Sequence, residues 1–479
     1  MNVKKIISNL LTAFMAQGVT FLVSLVMSLL VPKVLGIASY GYWQLFVFYI
    51  SYSGFFHLGL NDGVYLIKGG QNRSEIDKKA INSQFAVAVT LQIAISFFFA
   101  ICVLLNNVGY ERNFVLFSFS VYTILVNVSS FLGYLFQAMN ETKLFSISSM
   151  LERLVFVVPM LIMVFFKISD FRPFIVFYII ARFCSLLYCC WKARDFFSSG
   201  FYSATQSVKL AFTSIKVGFG LMLANVAGMF ILGIARFLVD NAWGIEAFGK
   251  VSFSLSIVNF FISFVSQASM VLFPALRQGN DSERRSFYRL MRDLMEIAFP
   301  FIYIFYFPVS SILSLWLPQY SESMHYFALL LPICVFNTKM DLCCTTYFKV
   351  LREEKILLKV NVIAVIGSAF CSFVGVYVLK SLDAVLLGAV ICIMLRSLWS
   401  EHYLNSKLGF CDSLMPIEEM LLSFVFIFFS LFYNSYIAIG VFCVSYLLFL
   451  LINKGVVISV VSSISKKVRY ELNHGRHGR

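Results

Sequence analysis

Apolar runs of about twenty residues or more follow one another along this chain, separated by short polar gaps. They lie near 8–31, 40–60, 83–105, 114–136, 147–166, 173–191, 213–238, 250–273, 294–316, 324–347, 357–379 and 384–400. A helix needs about 20 apolar residues to cross the hydrocarbon core of a bilayer. A last stretch, Met420 to Asn453, is interrupted only at Tyr433-Asn434-Ser435 and reads as two short spans with a turn between them. The expected fold is therefore an all-α polytopic membrane protein with about fourteen transmembrane helices. Composition closes the other routes. Of the 479 residues 60% are hydrophobic and 13% charged, against about 25% charged in a soluble protein. That excludes a soluble enzyme and a disordered chain. The runs are continuous, so an outer-membrane barrel, whose strands alternate apolar and polar residues, is excluded as well.

A net charge of +14 invites a nucleic-acid reading, and the positions of the charges answer it. Of the 38 Lys and Arg residues, 29 fall at the N-terminus, in alternate gaps and in the C-terminal tail, all on one side of the expected topology. By the positive-inside rule that side is cytoplasmic and holds both termini. The basic charge then sets orientation and meets lipid headgroups; no soluble domain is left to bind nucleic acid. The opening Met1-Asn2-Val3-Lys4-Lys5 resembles a signal peptide, but the apolar run continues to Val31, so an uncleaved first helix is expected. Eleven scattered Cys and five His offer no metal-ligand spacing. The Cys read as packing residues, and neither a metal nor a cofactor is expected.

The sequence contains itself twice. Gly36-Ile37-Ala38-Ser39-Tyr40-Gly41 and Gly244-Ile245-Glu246-Ala247-Phe248-Gly249 share Gly-Ile-x-x-aromatic-Gly at an offset of 208. Phe136 to Lys143 and Phe348 to Lys355 share Phe-x-x-x-x-Glu-x-Lys at an offset of 212. Two matches in the same order imply two parallel six-helix repeats related by an axis along the membrane normal, the arrangement in which transporters bind substrate between halves. The expected organisation is an N-terminal lobe over 1–200, a C-terminal lobe over 201–410, an appended helix pair over 411–456 and a basic cytoplasmic tail over 457–479. Gly244 to Lys250 also resembles a phosphate-binding loop, but Val251 stands where the motif needs Ser or Thr. Nucleotide hydrolysis is not expected.

The glycine turns after helices one and seven, the Phe136-Gln137-Ala138 exit ending in Lys143, and the six-helix halves resemble the multidrug/oligosaccharidyl-lipid/polysaccharide exporter superfamily. Within it, fourteen spans and strong basicity resemble the Wzx-type flippases of O-antigen and capsule repeat units, over about residues 1–402. The resemblance implies a non-enzymatic flippase of the bacterial inner membrane acting in lipopolysaccharide or capsule biosynthesis. Its cargo would be an undecaprenyl-pyrophosphate-linked oligosaccharide, carried by alternating access coupled to H⁺ or Na⁺. The implied partners are that lipid-linked cargo, membrane lipids, a polysaccharide polymerase and a chain-length regulator. Two alternatives stay open: a drug/cation antiporter of the same superfamily, and a membrane O-antigen polymerase or other glycosyltransferase, although every expected external loop is too short for a catalytic one.

Ionisable residues inside a membrane are expensive and mark function by default. The candidate substrate-binding residues are Arg182, Arg236, Lys250, Lys339, Gln17 and Asn225, cations and amides suited to a pyrophosphate headgroup and sugars. Asp341 and Asp62 are the candidate ion-coupling residues; no residue is assigned a catalytic role. Arg236 and Asp240 sit four apart on one helix, as either a local ion pair or a cavity-facing pair. Glu152 reads as interfacial, and Tyr40 and Trp43 as lipid-interface anchors.

Overall fold

The structure is a computed structural model that describes residues 3–106, 108–278, 281–410 and 414–474; the side chains of 3–14, 16–17, 264–278, 281, 283, 464 and 466–474 lie outside the description. The described residues form helices and no strand. In chain order they are α1 (Val3–Ser51), α2 (Leu60–Lys68), α3 (Lys78–Asn106), α4 (Tyr110–Ala138), α5 (Thr142–Phe165), α6 (Arg172–Lys192) and α7 (Arg194–Phe197). There follow α8 (Ala204–Gln278), α9 (Asp281–Ala298), α10 (Tyr306–Trp316), α11 (Ser321–Leu330), α12 (Pro332–Lys339) and α13 (Thr346–Val350). The last are α14 (Glu354–Tyr377), α15 (Leu382–Leu408), α16 (Met415–Phe432), α17 (Ser435–Ile452) and α18 (Lys454–His474). The chain divides into two units, one of Met1–Arg236 with Asp240–Phe253, the other of Phe237–Val239 with Ser254–Arg479.

Among the described residues eleven helices are long and apolar enough to cross a membrane, or twelve if the pair bent by 40° at Leu331 counts as one span. Two stretches are too long for one crossing. Gly18–His57 has 40 residues and Ala204–Ser263 has 60, about 60 and 90 Å of helix against a core of about 30 Å. Each is interrupted at a repeat glycine. Gly36 has φ 73 and ψ 173, Gly244 φ 79 and ψ −176, a region essentially closed to any residue with a Cβ. Two crossings in each stretch are compatible with fourteen spans.

Local geometry repeats with the sequence. Asn140 and Arg352, 212 apart, both take a left-handed φ, 57 and 58. Behind each, an amide reaches back five residues: Glu141 N–H to Phe136 C=O at 2.8 Å, Glu353 N–H to Phe348 C=O at 2.7 Å. This is the six-to-one helix stop. Lys167 and Lys380 end α5 and α14 in the same left-handed conformation, φ 54 and 49. The two glycine motifs also meet: a Cβ on Gly41 would lie 2.5 Å from the Ile245 carbonyl, and one on Gly249 3.1 Å from the Gly41 Cα.

Tyr40 and Trp43 are buried rather than anchored at an interface. Trp43 stacks on Phe156 at 5.9 Å and meets Tyr178 edge-on, so packing of α1 on α5 and α6 buries the rings. At the end of the first unit Arg73 ties three segments, pairing with Glu141 and Asp195, each at 2.7 Å, and with the Lys192 carbonyl. Burial alone raises the Asp195 carboxyl; hydrogen bonds from Arg73 and Lys78 outweigh it and hold the group at about 2. Next to this hub α2 lies directly on α8: a Cβ on Gly63 would sit 1.9 Å from the Ser214 carbonyl, one on Gly218 2.1 Å from the Gly59 carbonyl. Gly63→Ala should therefore cost about 1–3 kcal/mol, seen as a lower melting temperature in detergent. Gly220→Ala, with open space around the added carbon, should leave it unchanged.

Candidate functional site

Charged and amide groups gather at three places in the first unit. Arg236, half-buried on α8, holds its guanidinium between the rings of Phe48 and Phe248, at 4.8 and 5.0 Å. Nη2 donates to Ser252 Oγ at 2.9 Å, and the buried Nε has no partner among the described residues. No carboxylate pairs with Arg236 among them. Asp240, one helical turn on, is taken instead by Arg112 of α4 in a two-pronged bridge at 2.6 Å for each arm. The local Arg236–Asp240 pair is thus absent, because a bidentate fork satisfies both carboxylate oxygens and a single i,i+4 contact does not. Lys250, half-buried, follows the Gly244 kink, and Asn225 is exposed on α8. Gln17 lies outside the residues whose side chains are described.

Arg182 on α6 is engaged elsewhere. Nη1 makes a short contact with Glu152 Oε2, and Nη2 donates to the Val126 carbonyl at 3.2 Å and Ser130 Oγ at 3.3 Å. Glu152, expected at an interface, is buried and also accepts from Tyr122 at 3.3 Å. A carboxylate therefore already occupies the place on Arg182 that a phosphate would need.

The third place is a break in the helix. After Ser51 the chain passes through a short 3₁₀ turn, Ser53–His57, to the left-handed pair Leu58 and Gly59. Freed carbonyls there need donors. Asn127 donates to the Ser53 carbonyl at 3.0 Å and to Gln92 at 2.8 Å, and Gln92 donates to the Phe56 carbonyl at 2.9 Å. Gly59 N–H donates to His57 Nδ1 at 3.0 Å, which leaves the ring proton on Nε2, facing Asp62 Oδ2 at 3.6 Å. Asp62 is buried beside this break, not solvated at an interface.

In the second unit Lys339 ends α12 at 1% exposure. Three carboxylates close on its Nζ: Glu401 of α15 at 2.6 Å, Glu419 of α16 at 2.9 Å and Glu296 of α9 at 3.0 Å. Two of the three ammonium donors make hydrogen bonds, to Glu296 and Glu419, and Glu401 pairs by charge. One turn before Glu296, Arg292 binds Asp293 at 2.7 Å and Asn405 at 3.0 Å. Asp341 follows Lys339 in a π-helical segment, Met340–Thr345, with an exposed side chain. Arg396 is buried on α15; Nη2 donates to Asn337 at 2.8 Å, and no carboxylate pairs with it among the described residues.

Sequence reasoning did not single out Glu296, Glu401, Glu419 or Arg396. Each lies within a few residues of the end of an apolar run, where interfacial solvation is the default. One signal was present: Lys339 deep in a span demands an acid, and these are the acids nearest to span ends on the cytoplasmic side of the expected topology.

A family model described as polysaccharide biosynthesis protein matches residues 6–280. Comparison with curated protein sequences finds no match. Among solved structures, the fold is similar to a lipid II flippase MurJ in an inward closed conformation (TM-score 0.61, 11% identity, 94% of this chain and 100% of that one). It is also similar to a multidrug resistance MATE family transporter of the MOP superfamily in an inward-facing conformation (TM-score 0.58, 12% identity, 83% and 94%). A MOP superfamily transporter from Pyrococcus furiosus aligns with TM-score 0.54, 12% identity, over 85% and 96%.

Proposed function

Because this chain belongs to the polysaccharide biosynthesis protein family, we propose that it is a flippase for an undecaprenyl-pyrophosphate-linked oligosaccharide repeat unit of O-antigen or capsule. It sits in the bacterial inner membrane with both termini cytoplasmic. It works by alternating access of two six-helix lobes, coupled to H⁺ or Na⁺, without enzymatic chemistry. The observation that carries this reading is Arg236: a cation inside an apolar span, stacked between two phenylalanines, with no described carboxylate to neutralise it. An unpaired charge in that setting calls for an anion. A guanidinium whose faces are covered presents its edge, where two N–H groups match two phosphate oxygens. Arg182, held by a carboxylate, supports the scaffold around the path.

A drug/cation antiporter would need the opposite sign. The acid nearest Arg236 along its helix, Asp240, is spent on Arg112. The test is genetic and chemical. Removing the protein should abolish the surface polysaccharide and accumulate the lipid-linked repeat unit on the cytoplasmic leaflet; restoring it should reverse both. Unchanged surface polysaccharide overturns the proposal. Purified protein should hydrolyse no ATP when lipid-linked oligosaccharide is added.

A further inference from the structure

The Lys339 centre holds more acid than it can ionise. Three carboxylates face one ammonium, and the neighbouring Arg292 is already committed to Asp293. Arg289 also lies 3.8 Å from Asp293; the four acids and three bases still sum to one negative charge. Glu296 and Glu419 are fully buried, and Glu401 and Lys339 nearly so. A buried charge without a partner neutralises itself rather than persist. Three oxygens of the centre are buried with no hydrogen-bond partner among the described residues: Glu296 Oε2, Glu419 Oε1, and Glu401 Oε2, which is paired with Lys339 by charge alone. Lys339 Nζ occupies the middle of the ring, where a sodium ion would have to sit, so the ligand is a proton.

The first repeat shows what the fold itself requires at this position. Lys339 corresponds to Asn127 at the 212 offset. Asn127 holds its neighbours with neutral amide bonds to Ser53 and Gln92. An uncharged hub is sufficient for packing there, and the second repeat carries an ionic one.

We propose that the Glu296–Glu401–Glu419–Lys339 centre binds and releases the proton that drives transport. The inference rests on the flippase reading for what the proton drives. Loading forms an O–H bond between a glutamate oxygen and a proton from water; release breaks that bond and returns the proton to water. No electron changes hands. Other ionisable groups around the centre include Arg289, Arg292, Asp293 and Tyr288 on α9, Tyr303 after it, and Cys343 and Cys344 behind Lys339. Glu419 belongs to the first of the two appended helices, so α16 answers to the same proton as α9, α12 and α15.

The test is infrared spectroscopy of the full chain in lipid nanodiscs, titrated from about pH 5 to about pH 9, the range in which buried carboxyls ionise. The wild type should show a carboxylic-acid C=O band that fades as pH rises. A neutral variant, Lys339→Asn with Glu296→Gln, Glu401→Gln and Glu419→Gln, copies the first repeat's hub and leaves no charge orphaned. It should reach wild-type abundance, lack the band and export no polysaccharide. A wild-type spectrum with no such band, or with one that ignores pH, overturns the proposal without any variant. So does full export by the neutral variant. If the band behaves as expected but removing the protein leaves surface polysaccharide untouched, the flippase reading fails and the proton site stands.

Discussion

Arg236→Gln is expected to abolish surface polysaccharide while the protein stays at its normal level in the membrane. The reason lies in what Arg236 does not have. No described carboxylate pairs with it, so its removal strands no buried charge. The folded state loses a stacked cation between Phe48 and Phe248, about 0.5–2 kcal/mol, and is relieved of a desolvated charge. Those effects oppose each other. Cargo binding loses its charge-assisted hydrogen bonds outright. Arg236→Lys keeps the charge but neither the planar stacking nor the two-pronged edge, so reduced export is expected. Surface glycan and membrane abundance, measured together, separate the outcomes. Normal glycan in Arg236→Gln, or depletion of the protein in proportion to glycan loss, removes Arg236 from the transport path.

Arg182→Gln should do the reverse, depleting the protein. It removes the direct ion-pair partner of the buried Glu152, which keeps the Tyr122 hydrogen bond and the neighbouring charge of Arg153. Breaking a buried pair from one side costs about 3–5 kcal/mol, a large part of the roughly 5–15 kcal/mol that holds a protein folded. Glu152→Gln should deplete the protein for the same reason, by stranding the cation. The double variant, Arg182→Gln with Glu152→Gln, removes both charges and should recover much of the abundance. That recovery separates a structural pair from a binding residue. Abundance unaffected in Arg182→Gln, with glycan lost, restores Arg182 as a headgroup ligand.

Much of the architecture was legible in the residues. Apolar runs of membrane-spanning length and the bias of Lys and Arg to alternate gaps are properties of the chain itself. So are the repeat positions. Gly36 and Gly244 adopt a backbone conformation that other residues avoid, and Asn140 and Arg352 close the same helix stop 212 residues apart. Steric limits on one residue act wherever the chain goes, which is why they show in sequence.

The pairing of charges was decided by the tertiary structure alone. Helix geometry placed Asp240 beside Arg236, yet Arg112, from another helix, took both its oxygens. Lys339 announced a need for an acid without saying which. Glu296 on α9 and Glu401 and Glu419 on α15 and α16, more than 40 residues away from Lys339 in either direction, met it together. In a medium of low dielectric a charge is stabilised by whichever opposite charge or dipole lies within a few ångströms. Distance in space settles that, and distance in sequence carries no record of it.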